Sequence, residues 1–241
     1  MEHHHSIVYG PVNALWDWLL ALLGLEQRWG HVEVPDHVAM SLFVVALLAA
    51  VFIPLARTFR EEEPGRFQLF LEQLVQGLRG MIDEQVGHGA ADRYLSVIGA
   101  FTLFIFVGNI CGLFFFLVPP TQNVNVTFGL AFVSFFLYNI IGFRRHGLRY
   151  FKHFLGPIWW LAPLFVVVEL VSHNARWLSL GLRLFGNMTG EHMVAGVFNN
   201  LVPLLAPLPI MALGAFAAII QTFIFIMLTT VYIAGAEAEE H

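Results

Sequence analysis

Two long stretches without a charged side chain constrain the fold of this chain most. Residues 94–143 form one run of 50 positions, and residues 192–236 form another of 45, with histidine counted as neutral. A helix needs about 20 mostly apolar residues to cross a bilayer. The chain is 58% hydrophobic and only 12% charged, whereas soluble domains carry about 25% charged residues. The sequence therefore predicts an integral membrane protein.

Turn-forming residues divide these stretches into separate helices. The segment from Pro119 to Asn125 interrupts the first run, and the segment from Pro203 to Pro209 interrupts the second. We predict an all-α fold, a single transmembrane domain over residues 1–241, with five transmembrane helices near residues 38–57, 94–118, 126–143, 157–200 and 210–234. The second and third form a hairpin over residues 94–143, and the last two form a long helix pair over residues 157–234.

Two further segments suit the membrane surface. Residues 66–84 place apolar side chains at helical spacing opposite a polar face, so we predict an amphipathic interfacial helix. Residues 1–37 are expected to form an external N-terminal segment, with an interfacial helix over 11–24. The start of the chain lacks the basic region of a secretory signal. Its histidines, His3 to His5, are interpreted as a solvated terminus rather than as a metal site.

Basic residues predict the orientation. Arg57, Arg60 and Arg66 follow the first span, whereas Arg144, Arg145, Arg149 and Lys152 follow the third. Because cytoplasmic loops carry the excess of Lys and Arg, both loops are expected in the cytoplasm. Five spans then leave the N-terminus outside and the C-terminus inside. The single cysteine, Cys111, excludes an intrachain disulfide and is interpreted as a small buried hydrophobic residue.

Arg183 is the residue most in need of explanation. It lies in an apolar stretch, and no acidic residue occurs within seven positions on either side. An arginine at the centre of a membrane helix costs about 2.5–3.5 kcal/mol on insertion scales. Charges inside membranes usually serve ion or substrate transport, so Arg183 is a candidate functional residue.

The residues around Arg183 form a polar stripe on the predicted fourth helix. At about 100° per residue, six others fall within about 40° of it. They are Glu169, Ser172, Arg176, Ser179, Asn187 and Gly190. One interpretation is a polar seam that joins helices within the chain; the other is a surface that meets a carboxylate on another chain. On the last helix, Gly214, Ala218, Gln221 and Phe225 share a second face that permits close packing.

The segment from Ser179 to Met188 resembles the signature of subunit a of rotary ATP synthase. The segments Gln221 to Phe225 and Leu228 to Tyr232, with the acidic tail, resemble the same family, as does the stretch from Pro119 to Thr127. The resemblance covers roughly residues 35–241. It implies a bacterial Fo subunit that is not catalytic by itself, with its last two helices long and tilted against a ring of proteolipid subunits. It also implies a peripheral-stalk subunit b as a partner, and the inner membrane as location.

The family resemblance implies a role for each candidate. Arg183 would face the ring carboxylates and separate two aqueous half-channels. Glu169 would line the cytoplasmic half-channel, and Ser172 and Arg176 on the same stripe are further candidates for ion translocation. Asn187, His192 and Gln221 would line the outer one. His192 best matches the outer proton relay and Glu191 is expected to matter less, although a shift of one position would exchange them. Gly214 is expected to leave room for water beside His192, and Asn123 stands where the family often has an acid.

Several alternatives stay open at this stage. The transported ion is expected to be the proton, with sodium as the alternative, because the ligands of the ring decide the choice. A secondary transporter would carry an internal repeat, which we do not find in the sequence. A chain that served only as a structural anchor of a membrane complex would have no use for the costly charge of Arg183. No cofactor, metal or nucleic acid partner is expected.

Overall fold

The computed structural model describes residues 6–22, 33–59, 64–114, 117–147, 162–201 and 207–238. In these ranges, all regular structure is helical. The α-helices are α1 (Tyr9–Leu22), α2 (Asp36–Thr58), α3 (Arg66–Val86), α4 (Ala90–Cys111), α5 (Val124–His146), α6 (Ala162–Leu201) and α7 (Pro207–Glu237). A short 3-10 turn, Pro120–Gln122, joins α4 and α5 in sequence.

Four helices are long and apolar enough to cross a membrane. They are α2, α4, α5 and the segment Pro209–Glu237 of α7, judged by length and composition. The predicted fourth span corresponds to α6, which is not among them because its polar stripe lowers its hydropathy. With 40 residues, α6 is about 60 Å long, which exceeds the thickness of the hydrocarbon core. Predicted residues 157–161 of this helix lie outside the described ranges.

The observed boundaries of α4 correct one expectation. We predicted a span over 94–118, but the helix begins at Ala90 and ends at Cys111. The ideal Cβ position of Gly112 lies 2.8 Å from Cβ of Pro119, so the returning chain packs directly on this glycine. The apolar residues after Cys111 thus belong partly to the connection, although their composition continues that of the helix.

The amphipathic helix α3 matches its prediction closely. It covers Arg66–Val86 and ends at Gly87, which has a φ of 127° that favours glycine. Phe67, Phe70 and Leu74 on its apolar face are exposed on the surface of the chain. An apolar helix face that the described residues leave exposed is typical of a helix lying in the membrane interface.

The described chain packs as two compact units. The first comprises residues 1–59, 103–126 and 187–220. In this unit, the hydroxyl and backbone N–H groups of Ser6 donate to Asp36 and tie the start of the chain to α2. Thr121 donates a buried hydrogen bond of 2.6 Å to Asn109 Oδ1, which fixes the 3-10 turn against α4.

The second unit comprises residues 60–102, 127–186 and 221–241. A buried hydrogen bond of 3.1 Å joins Ser134 on α5 to Thr229 on α7. At one end of the unit, the buried carboxylate of Glu237 accepts hydrogen bonds from Tyr94 at 2.5 Å and from Arg93 at 3.1 Å. These contacts hold the end of α7 at the start of α4. The single-domain organisation stays a prediction.

Candidate functional site

Helix α6 has one packed face around the position of Arg183. Leu180, Leu184 and Met188 are each at most 2% exposed. Gly181 is also buried, and its ideal Cβ position would lie 3.3 Å from the ring of Phe128 on α5. A side chain at position 181 would press on that ring, so the glycine permits the close approach of two helices.

The face that carries Arg183 is open instead. Ser179, Arg183, Asn187 and Gly190 are all exposed on the surface of the chain. Their more N-terminal neighbours on the stripe, Glu169, Ser172 and Arg176, are partly exposed. The polar stripe predicted from the sequence therefore does not form a seam within the part of the chain that the structure describes. Arg183 is exposed on the surface of the chain instead.

The two arginines on this stripe differ in their partners. Arg176 lies 3.9 Å from the carboxylate of Glu169 and sits over the ring of Tyr232 at 5.8 Å from its centroid. Across the described ranges, Arg183 makes no hydrogen bond or ion pair. The one acid on the stripe thus pairs with the other arginine, and Arg183 stays available for a group outside these ranges.

The carboxyl group of Glu191 on α6 lies against Gly214 on α7, within the first unit. A Cβ atom at position 214 would overlap Oε1 of Glu191 and would lie 2.8 Å from Cδ2 of Leu113. The expectation that Gly214 leaves room for water beside His192 is therefore wrong, because the carboxyl group of Glu191 already fills that space.

Four buried polar atoms of the first unit have no hydrogen-bond partner among the described residues. They are Asn109 Nδ2, Thr189 Oγ1, Glu191 Oε2 and His192 Nδ1. Leaving a buried polar group unpaired costs about 1–3 kcal/mol, and folded proteins pair most of them with protein or water.

The face predicted on the last helix, α7, is buried in the structure. Gly214, Ala218, Gln221 and Phe225 are all buried, and the last three are completely inaccessible. Phe225 packs against Phe101 with ring centroids 5.6 Å apart. The prediction that these residues share one buried face is confirmed, and it puts the amide of Gln221 inside the second unit.

Sequence reasoning missed one buried titratable residue. His173 is 6% exposed, and Nε2 lies 2.9 Å from Oδ1 of Asn139. Phe135 and Tyr138 pack edge-on against its ring. Its helical position, about 80° from Arg183, is the signal that puts it on the packed face of α6. Within the described ranges, no three His, Cys, Asp or Glu residues are grouped so as to hold a metal ion.

Comparisons with known proteins agree on one family. The family description "ATP synthase A chain" matches residues 38–234. The chain is 44% identical over 231 residues to ATP synthase subunit a 2 of Syntrophotalea carbinolica, which covers 93% of this chain and 96% of that protein. It is 41% identical over 224 residues to ATP synthase subunit a of Geotalea daltonii, covering 92% and 94%. A third relative, from a Sulfurihydrogenibium species, is 42% identical over 201 residues, covering 83% and 96%. The chain therefore belongs to the bacterial ATP synthase subunit a family, whose members are non-catalytic, ion-translocating subunits of the Fo sector.

Proposed function

We propose that this chain is the proton-translocating stator subunit of an ATP synthase, with Arg183 facing the carboxylates of a rotating proteolipid ring. The observation that supports this most is the open, polar face of α6. Arg183 is exposed there without a partner in the described ranges, while Leu180 and Leu184 on the neighbouring face are buried. A charge kept at membrane depth, with no partner among the described residues, is well placed to pair with a carboxylate from another chain.

The chemistry of the guanidinium fits this role. A nearby positive charge favours the ionised form of a carboxylate, so an arriving ring carboxyl releases its proton beside Arg183. The guanidinium does not deprotonate in proteins, and it therefore cannot pass that proton across the stator. Arg183 thus separates two half-channels while it drives proton release. A membrane potential of 100 mV supplies about 2.3 kcal/mol for each proton that crosses.

The two half-channels draw on different residues. We assign Glu169, Ser172 and Arg176 to the cytoplasmic half, where the ion pair between Glu169 and Arg176 lies on the same face as Arg183. We assign Asn187, His192 and Gln221 to the outer half, with Glu191 beside them. An imidazole and a carboxyl group can both relay protons, so these residues suit proton transport, while the ligands of the ring decide between proton and sodium.

Contacts within the second unit support five membrane crossings. Glu237, at the end of α7, bonds to Arg93 and Tyr94 near the start of α4, so these two points lie on one side of the membrane. If α4, α5 and α7 alone crossed, the end of α7 would lie on the opposite side. We infer that α6 crosses as well, although its polar stripe lowers its hydropathy. With Arg57, Arg144 and Arg145 in the cytoplasm, the N-terminus is outside and the C-terminus inside.

The central experiment replaces Arg183 in the assembled complex. We expect Arg183→Ala to abolish ATP-driven proton uptake by inverted membrane vesicles, measured by quenching of a pH-sensitive dye, while ATP hydrolysis persists. Arg183→Lys is expected to fail as well, because a lysine can lose its proton and lacks the planar fork. Arg144→Ala, which removes an exposed arginine at the end of α5, is the matched control and should pump normally.

Two outcomes separate the alternatives. Coupled pumping at the normal rate by Arg183→Ala would refute the proposed function, provided that the ring and a peripheral-stalk subunit b co-purify with the chain. Pumping that requires sodium and resists protonophores would instead identify the sodium-translocating alternative. Proton uptake that is independent of added sodium supports the proposal.

A further inference from the structure

A carboxylate and a guanidinium of the second unit meet at the helix ends that favour them least. Arg93 lies in the first turn of α4, which begins at Ala90, and Glu237 is the last residue of α7. A helix carries partial positive charge at its N-terminus and partial negative charge at its C-terminus, so each side chain opposes the dipole of its own helix. The contact of 3.1 Å between the two groups compensates both charges.

The carboxylate of Glu237 is enclosed as well as paired. Glu237 is only 8% exposed, and its Oε1 accepts a further hydrogen bond of 2.5 Å from the hydroxyl of Tyr94. The guanidinium of Arg93 in turn lies 5.5 Å from the centre of the Tyr94 ring. Loss of a partner would leave a buried carboxylate uncompensated, so such a cluster resists separation. The three side chains thus fasten the end of α7 to the start of α4.

Another side of α7 reaches the proposed cytoplasmic half-channel. Tyr232 lies five residues before Glu237, so the two side chains point about 140° apart on the helix. The guanidinium of Arg176 on α6 lies 5.8 Å from the centre of the Tyr232 ring, and the same guanidinium is 3.9 Å from the carboxylate of Glu169. A hydrogen-bonded helix moves as a rigid rod over one or two turns. A displacement of Glu237 would therefore move the ring on which Arg176 rests.

We propose that Glu237 is a positioning residue of the cytoplasmic half-channel. Its bonds to α4 hold α7 so that Tyr232 stays beneath Arg176, and the contact of Arg176 with Glu169 then keeps its geometry. This inference rests on the proposed function, which assigns Glu169 to proton transfer. Glu237 acts by its charge and position, and it exchanges no proton with the channel.

Reversal of the ion pair tests this role. Glu237→Gln in the complete complex should lower ATP-driven proton uptake roughly tenfold per assembled complex, because small misplacements near a reacting group cost rate. Glu237→Arg alone should lower uptake further, since two guanidinium groups then meet. Arg93→Glu combined with Glu237→Arg should recover most of the uptake, because each side chain then matches the dipole of its helix. Recovery without a carboxyl group at 237 would exclude a proton relay at that position.

A double-mutant cycle separates positioning from general stability. Tyr232→Leu removes the ring beneath Arg176, so adding Glu237→Gln should change uptake by less than about twofold in that background. A merely structural role would lower uptake by the same factor in both backgrounds, and that result would contradict the inference.

Asp92→Asn is the matched control for loss of a carboxylate beside Arg93. Asp92 is exposed and pairs with Arg79, and an exposed ion pair of this kind contributes little, so uptake should be unchanged. Normal uptake in Glu237→Gln would overturn the inference, and so would a reversed pair that is no better than Glu237→Arg alone.

These outcomes are distinct from failure of the proposed function. If Arg183→Ala stops pumping while Glu237→Gln pumps normally, the stator role stands and only the positioning role is lost. If Arg183→Ala itself pumps normally, the proposed function fails, and the role of Glu237 in the half-channel fails with it.

Discussion

At the scale of single residues, the structure distinguishes two arginines on one helix face. Arg176 has a carboxylate at 3.9 Å and an aromatic ring beneath it, whereas Arg183 has neither within the described ranges. Both Arg176 and Glu169 are partly exposed, and an ion pair in such a position contributes only about 0–1 kcal/mol. The pair therefore orients Glu169 without locking it, which suits the proton relay proposed for this residue.

Removing the proton-binding group of Glu169 should slow transport and leave assembly intact. A relay residue contributes rate more than structure, so we expect Glu169→Gln to lower proton flux by roughly 10- to 100-fold. Flux is measured in inverted vesicles, and assembly is checked by recovery of the intact complex. Glu84→Gln, at an exposed position of the interfacial helix, is the control for loss of a carboxylate and should have no effect.

The same half-channel should admit water from the cytoplasm only. In a Cys111→Ala background, a cysteine at Ser172 should react with silver ions added to the cytoplasmic side, because a thiol ionises where water reaches it. A cysteine at Val167 is the matched control, since this exposed position points away from the stripe and should face lipid. Reaction at 172 from the outside alone would reverse the assignment of the half-channels.

At the scale of helices, the sequence predicted best those elements whose ends coincide with charges or turns. Helix α2 was expected over 38–57 and covers Asp36–Thr58, because Arg57 ends the apolar run. Helix α5 was expected over 126–143 and extends to His146 through the two arginines that follow. The end of α4 was missed because the chain stays apolar beyond Cys111, and the packing of Pro119 on Gly112 at this point is a tertiary contact that the local sequence does not show.

Part of the candidate site could also be predicted from the local sequence, and part depends on contacts between helices. Helical periodicity alone predicted the stripe around Arg183, and its exposure in the structure agrees with that pattern. On an ideal helix, Glu191 lies about 80° from Arg183. Periodicity could not reveal that the carboxyl group of Glu191 occupies the space at Gly214, because the two positions are 23 residues apart in sequence and belong to different helices.

The two faces of α6 predict a pattern of crosslinks to the ring. Cysteines at Ser179, Asn187 and Gly190 should form disulfides with a cysteine on the carboxylate-bearing helix of the ring, because these positions are exposed on the face of Arg183. Cysteines at Gly181 and Met188 should crosslink poorly, since both positions are buried within the chain. Equal crosslinking at all five positions would contradict a ring contact through the Arg183 face.

At the scale of the whole molecule, the topology depends on whether α6 crosses the membrane. Hydropathy identifies four spanning helices, and α6 is not one of them. The bonds from Arg93 and Tyr94 to Glu237 nevertheless require an even number of crossings from the start of α4 to the end of α7. If α4, α5 and α7 supply three, as we propose, α6 supplies the fourth. A transmembrane helix with four charged residues is costly in lipid alone, and the cost falls when its polar face meets protein and water.

Labelling of single cysteines tests this topology directly. In a Cys111→Ala background, a membrane-impermeant maleimide should label a cysteine at Glu33 in intact cells, because this exposed residue precedes α2 on the outer side. Cysteines at His88, between α3 and α4, and at Ala238, after α7, should be labelled only in inverted vesicles. Positions 88 and 238 serve as controls for each other. They lie close in sequence to Arg93 and Glu237, whose contact is expected to keep both on one side of the membrane. Labelling of 88 and 238 from opposite sides would show that α6 does not cross, and a reversal at all three positions would show that the orientation is inverted.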